Sequence, residues 1–181
     1  CSGGLAANYA FTFVAGAITI NAKSVVVTAS SPTVTYGDAV PSITPSYGDF
    51  VNGQSSTVVS NTSCTTVYVR TSNVGSLPAT SCSGATAANY SFTYTSGSVV
   101  IEKKTLTATA SSHSVTYGDA KPTVTPSYDG FVNSQNATAL TTAPTCDTTY
   151  STTSGFGTVA STCSGGVATN YSFSFTPGVI S

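Results

Sequence analysis

The stretch Cys82-Ser-Gly-Ala-Thr-Ala-Ala-Asn-Tyr-Ser-Phe-Thr-Tyr-Thr-Ser-Gly-Ser-Val-Val-Ile101 decides the fold, because recognisable copies of it begin at Cys1 and at Cys163, each 81 residues from the next. An internal period of that size marks tandem modules, so the 181 residues read as two small domains plus a fragment. Inside the stretch, Tyr90, Phe92 and Tyr94 alternate with Ser91 and Thr93, the period of a half-buried strand. The triplet returns as Tyr9, Phe11, Phe13 and as Tyr171, Phe173, Phe175. Gly16, Gly97 and Gly178 recur at a turn, and a second strand follows on Ile18 and Ile20 or on Val99 and Ile101.

Working outward, residues 1–22 read as the C-terminal part of an upstream repeat, expected to form the same strands, and 23–103 and 104–181 as full repeats. Each full repeat opens on a strand, Ser24–Ser30 or Thr105–Ser111. Only Asn21-Ala22-Lys23 or Glu102-Lys103-Lys104 separates one repeat's last strand from the next repeat's first. Neither tripeptide has the Gly, Ser or Pro enrichment of a flexible tether, so the repeats are expected to stack as a stiff rod. Tyr36-Gly-Asp38 and Tyr117-Gly-Asp119 then read as turns, and Pro41 to Tyr47 and Pro122 to Tyr128 as extended segments. Their prolines suit an edge strand, because each removes a ladder donor. Short strands divided by turns, with no helical periodicity, predict an all-β fold of tandem small Ig-like β-sandwich repeats, one disulfide per repeat.

The hydrophobic fraction of 40 % comes largely from Val, Ala, Tyr and Phe, which is strand composition. Five Lys or Arg against six Asp or Glu give a net charge of −1, too little for nucleic acid or an anionic membrane to be partners. No apolar run approaches the roughly 18 residues of a spanning helix, so no transmembrane segment is expected. Ten Tyr and eight Phe argue for order in spite of the low charge.

Five cysteines is an odd number that the repeat explains. Cys64 pairs with Cys82 and Cys146 with Cys163 if the bridges stay within repeats, and the partner of Cys1 then lies in the upstream repeat. Counting also permits Cys1 with Cys64 and Cys82 with Cys146; the shorter loop confined to one domain favours the first scheme. Such bridges imply an oxidising compartment, hence an extracellular, secreted or cell-surface location. The sequence has no CxxC spacing, so no metal site and no cofactor are expected.

Little points to catalysis, and the chain is expected not to be an enzyme. His113 is the single histidine and corresponds to Pro32 of the first repeat. Asp38 and Asp119 are isolated carboxylates, better suited to turns than to calcium. Lys23 and Lys104, with Asn8, Asn89 and Asn170, raise an isopeptide crosslink, but lysine at a junction and asparagine at a strand start have simpler roles. Tyr68 and Tyr150, four residues after the first cysteine of each pair, are candidate exposed contacts for a glycan or protein ligand.

Tyr117-Gly-Asp119, Pro122 with Pro126, Tyr128-Asp-Gly-Phe-Val-Asn133, Pro144-Thr-Cys146, Cys163-Ser-Gly165 and Asn170-Tyr-Ser-Phe173, with their partners 81 or 82 positions earlier, carry a resemblance. The chain resembles the MBG family, the mostly-β, glycine-rich repeats of large bacterial surface and adhesin-like proteins, and the related YDG repeats. The resemblance implies tandem β-sandwich modules in a secreted or cell-wall-associated protein, with no catalytic residues to carry over. The expected role is a structural stalk or filament whose partners are neighbouring repeats or further copies of itself. An adhesin module that binds a glycan or surface protein is the rival.

Overall fold

A computed structural model describes all 181 residues. The first full repeat holds eight strands: β1 (Lys23–Ala29), β2 (Thr33–Thr35), β3 (Pro45–Tyr47), β4 (Ser63–Thr66), β5 (Ala79–Ser83), β6 (Tyr90–Thr95), β7 (Gly97–Ser98) and β8 (Val100–Glu102). The second holds six: β9 (Lys104–Ala110), β10 (Pro126–Asp129), β11 (Thr145–Thr148), β12 (Val159–Ser164), β13 (Tyr171–Thr176) and β14 (Gly178–Ile180). Helical structure is limited to single 3-10 turns at Ser56–Val58 and Ala137–Ala139, capped by the Ser55 hydroxyl and the Asn136 amide oxygen.

Each repeat is a small sandwich of two three-stranded sheets, in the orders β3-β1-β6 and β4-β5-β7, repeated as β10-β9-β13 and β11-β12-β14, and the first repeat adds a two-stranded parallel sheet of β2 and β8. The opening strand is central in its sheet, antiparallel to β3 and parallel to the aromatic strand β6, with Val25 opposite Phe92 and Val27 opposite Tyr94. Alternation dictates what it buries: Val25, Val27 and Ala29 face inward on β1, and Leu106, Ala108 and Ala110 on β9. Pro45 and Pro126 sit on edge strands, as their missing N–H requires.

Between β6 and β7 the chain passes from one sheet to the other. Gly97 makes that passage possible, since a Cβ there would lie 2.8 Å from both the Ala29 carbonyl and the Thr80 hydroxyl; at Gly178 it would lie 2.7 Å from the Ser111 carbonyl. The buried hydroxyls nearby are satisfied: Thr80 donates to Ser30 O and Ser161 to Ser111 O, both at 2.8 Å.

Neither sandwich has a large core of its own. Val27, Ala29 and Cys82 form one buried cluster, and Ala110, Val124 and Cys163 the other. The largest cluster joins the repeats: Tyr36, Tyr68, Val99 and Ile101 from the first pack with Leu106, Ala168 and Tyr171 from the second.

Residues 1–22 depart from the expectation of strands. They form none, and Tyr9, Val14, Ile18 and Ile20 are exposed. In each full repeat the aromatic strand is held against that repeat's own opening strand. The opening strand β1 already has β3 and β6 on its two edges and offers none to the Tyr9 segment. The alternating pattern therefore has no ladder to join.

Candidate functional site

The junction begins with a turn. Thr35 N–H donates to the Asp38 carboxylate at 2.9 Å and Asp38 N–H to Thr35 O at 3.0 Å, with Gly37 between them at φ +89°. Both ends are clamped: Tyr36 N–H donates to Glu102 O, the Tyr68 hydroxyl donates to Asp38 O at 3.0 Å, and Arg70 Nε donates to Gly37 O at 3.2 Å. The result projects the Tyr36 ring from the downstream end of the first repeat as a plug.

The second repeat supplies the socket. Tyr171, at the head of the aromatic strand, meets Tyr36 edge-on with ring centroids 5.6 Å apart and meets Phe131 in the same way at 5.2 Å. Gln135 accepts from both tyrosines, 2.6 Å from the Tyr171 hydroxyl and 3.3 Å from that of Tyr36. Val132 closes over Gly37 so tightly that a Cβ on the glycine would lie 2.5 Å from Val132 Cγ2. A glycine is therefore required twice at residue 37, by the positive φ and by the neighbour.

Polar contacts surround this apolar centre. Asn170 is buried and uses both ends of its amide: Oδ1 accepts from Val74 N–H at 3.0 Å and Nδ2 donates to Asn73 Oδ1 at 2.8 Å. Asn133 donates to Arg70 O at 2.9 Å, and Lys103, the one residue between β8 and β9, donates from Nζ to Ala168 O at 2.9 Å. Burial raises the pKa of Tyr171 above the ordinary phenol value, opposed by the Val132 N–H that its oxygen accepts. Tyr68 is raised by burial first, then by Asp38, with Arg70 acting in the opposite direction.

The two cystines are Cys64–Cys82 and Cys146–Cys163, and Cys1 is free and exposed. Each bridge links directly opposed residues of neighbouring antiparallel strands, with Cα atoms 4.0 Å apart. The bridges therefore staple a sheet edge and do not tie sheet to sheet.

Tyr68 and Tyr150 do not stand out on loops as expected for ligand contacts. Both are buried, and the Tyr150 hydroxyl repeats the clamp by donating to Asp119 O at 3.1 Å. The cause is the turn at Asp38 or Asp119, whose carbonyl needs a donor and whose position draws the ring inward. His113 shares a hydrogen bond with Ser111 at 2.8 Å, a pair confined to the second repeat, since Ser30 and Pro32 occupy those places in the first. The Asn170 side chain, a candidate for crosslinking, is committed to Asn73 and Val74.

Gln135, Asn133 and Asn73 escaped the sequence reading as junction residues. The signal for Asn133 and Gln135 was present as the shared spacing of Val51-Asn52-Gly53-Gln54 and Val132-Asn133-Ser134-Gln135, polar residues kept beside a constant valine; Asn73 has Gly155 as its counterpart and carried none.

The MBG domain of the YGX type matches residues 25–100 and again residues 106–181. The chain belongs to the MBG domain family. Tyr36-Gly37 and Tyr117-Gly118 occupy corresponding places in the two MBG repeats, and in the first of them the pair is the plug of the junction. No curated protein and no solved structure matches this chain.

Proposed function

We propose that the chain is a structural segment of an extracellular bacterial surface protein, a stiff disulfide-stapled stalk or fibre built from MBG repeats, with no catalytic role. One observation carries this reading: the largest buried cluster lies between the repeats, reached by a connection of one residue, Lys103. Two domains that share their main core resist bending in a way that tethered domains do not. The cross-strand cystines support a location outside the reducing cytosol.

The reading is tested by spin labels at Ser81 and Thr162, exposed and equivalent on the two repeats. A stiff stalk gives one narrow distance distribution. A broad distribution, like that of a Gly/Ser-linked pair, rejects it.

The adhesin reading has no exposed contact at the expected tyrosines, since Tyr68 and Tyr150 are both buried.

A further inference from the structure

Within each repeat the first strands and the last strands lie side by side and run the same way. Lys23 stands opposite Tyr90 and Thr28 opposite Thr95 in the β1–β6 pair, and Thr33 opposite Val100 and Thr35 opposite Glu102 in the β2–β8 pair. All four matches share one sequence offset of 67, so a single parallel register runs from the first strand to the turn at Tyr36. Where the chain passes between the sheets, Ser31 Oγ holds that register by accepting from Ser98 N–H at 3.2 Å, and Val100 N–H donates to Pro32 O at 2.9 Å. Both ends are tied, by Lys23 N–H to Asn89 O and by Tyr36 N–H to Glu102 O, each at 2.9 Å. The second repeat is built alike: Lys104 stands opposite Tyr171, Thr109 opposite Thr176 and His113 opposite Ile180, and Ser112 Oγ accepts from Val179 N–H at 3.0 Å.

We infer that this parallel ladder bears tension along the chain, a mechanical function distinct from the resistance to bending that the junction supplies. A pull along the main chain enters the first repeat at Lys23 and leaves it at Glu102, and those residues stand at opposite ends of the ladder. Both points are internal, since the chain continues through Ala22 on one side and Lys103 on the other. Parallel strands loaded in this way are drawn past one another, so that the rungs along about 40 Å of ladder are strained together. An antiparallel hairpin pulled at its open end parts one rung at a time. Packing opposes the same motion: β1 is central in its sheet, with Val25, Val27 and Ala29 buried, and a slip of one residue would turn those side chains to the opposite face. The load then passes through Lys103 to Lys104, which heads the ladder of the second repeat. Strands β3, β4 and β5 lie in sequence between the two arms of the ladder, outside the line of force. If the ladder yields, the cystine Cys64–Cys82 still withholds 18 residues from extension.

The stalk reading supplies the source of the load, on which this inference rests, but the two fail separately. Single-molecule force spectroscopy of the full chain tests the ladder, with Cys1→Ser removing the free thiol and handles attached at introduced cysteines. One version carries Ala22→Cys with Glu102→Cys, so that the pull shears the ladder. The other carries Ala22→Cys with Ala88→Cys, so that the pull starts at the same end of β1 and β6 and peels them apart. All three positions are exposed, and circular dichroism should match that of the parent protein. At equal loading rate the shearing version should unfold at a force several-fold above the peeling version. Reducing Cys64–Cys82 should lengthen the unfolding step of both by about 60 Å, because 18 residues are released at about 3.5 Å each, which marks the first repeat as the part that opened. Equal forces in the two geometries, or a greater force in peeling, overturn the inference. Equal forces beside a narrow distance between Ser81 and Thr162 would remove the load-bearing ladder and leave the stiff stalk standing. A broad distance beside a strong response to shear would do the reverse.

Discussion

Tyr128 is the only side chain with a buried polar atom lacking a partner, and the repeat shows why. Its counterpart Tyr47 donates to the Thr62 hydroxyl at 2.7 Å, but two residues before the cysteine the second repeat has Pro144 where the first has Thr62. A buried hydroxyl without a partner costs more than its hydrogen bond would return. Tyr47→Phe should therefore lower stability by about 1 kcal/mol, while Tyr128→Phe should be neutral or stabilising, as read by denaturant titration. The same burial lifts the Tyr128 pKa above its ordinary value, as it does for Tyr68 and Tyr171. Each of these groups is held neutral in the folded state, so their contribution is whole below the unfolded phenol range near pH 10 and is lost as pH rises through the raised values. Stability measured from pH 9 to 12 should fall, and the fall should be shallower in Tyr128→Phe.

At the scale of elements, period and punctuation made most strands legible. The opening strands β1 and β9 each lie one residue earlier than read, and the prolines correctly marked edges. Period alone failed at Tyr9, Phe11 and Phe13, because alternation says which face a strand would bury and not whether a partner exists to pair with it. It failed differently at Tyr68, where a polar neighbourhood suggested exposure and a carbonyl made by a turn 30 residues earlier drew the ring inward. The recurrent Gly97 could be read as a turn, yet its necessity comes from three-dimensional crowding, which sequence does not display. Gly97→Ala should lower the unfolding free energy by roughly 1–3 kcal/mol, through displacement of Ala29 or Thr80. Gly16→Ala, with nothing within 4 Å of its Cβ, should leave the unfolding midpoint unchanged.

For the whole molecule, the distribution of the core matters more than its size. Each repeat buries too little on its own to need no help, and the cystine at the sheet edge and the cluster at the junction supply it. The short connection at Lys103 was plain in the sequence and argued for stacking. The plug and socket were not, because they join residues such as Tyr36 and Gln135 that lie 99 positions apart and belong to different turns of the repeat. The central claim is that these contacts make two repeats one rigid body. Residual dipolar couplings of the backbone amides test it most directly, comparing the parent chain with Gly37→Val, whose side chain would collide with Val132. One alignment tensor fitting both repeats in the parent, and two separate tensors in Gly37→Val, is the result this account predicts. Two tensors of different magnitude in the parent chain itself would contradict it.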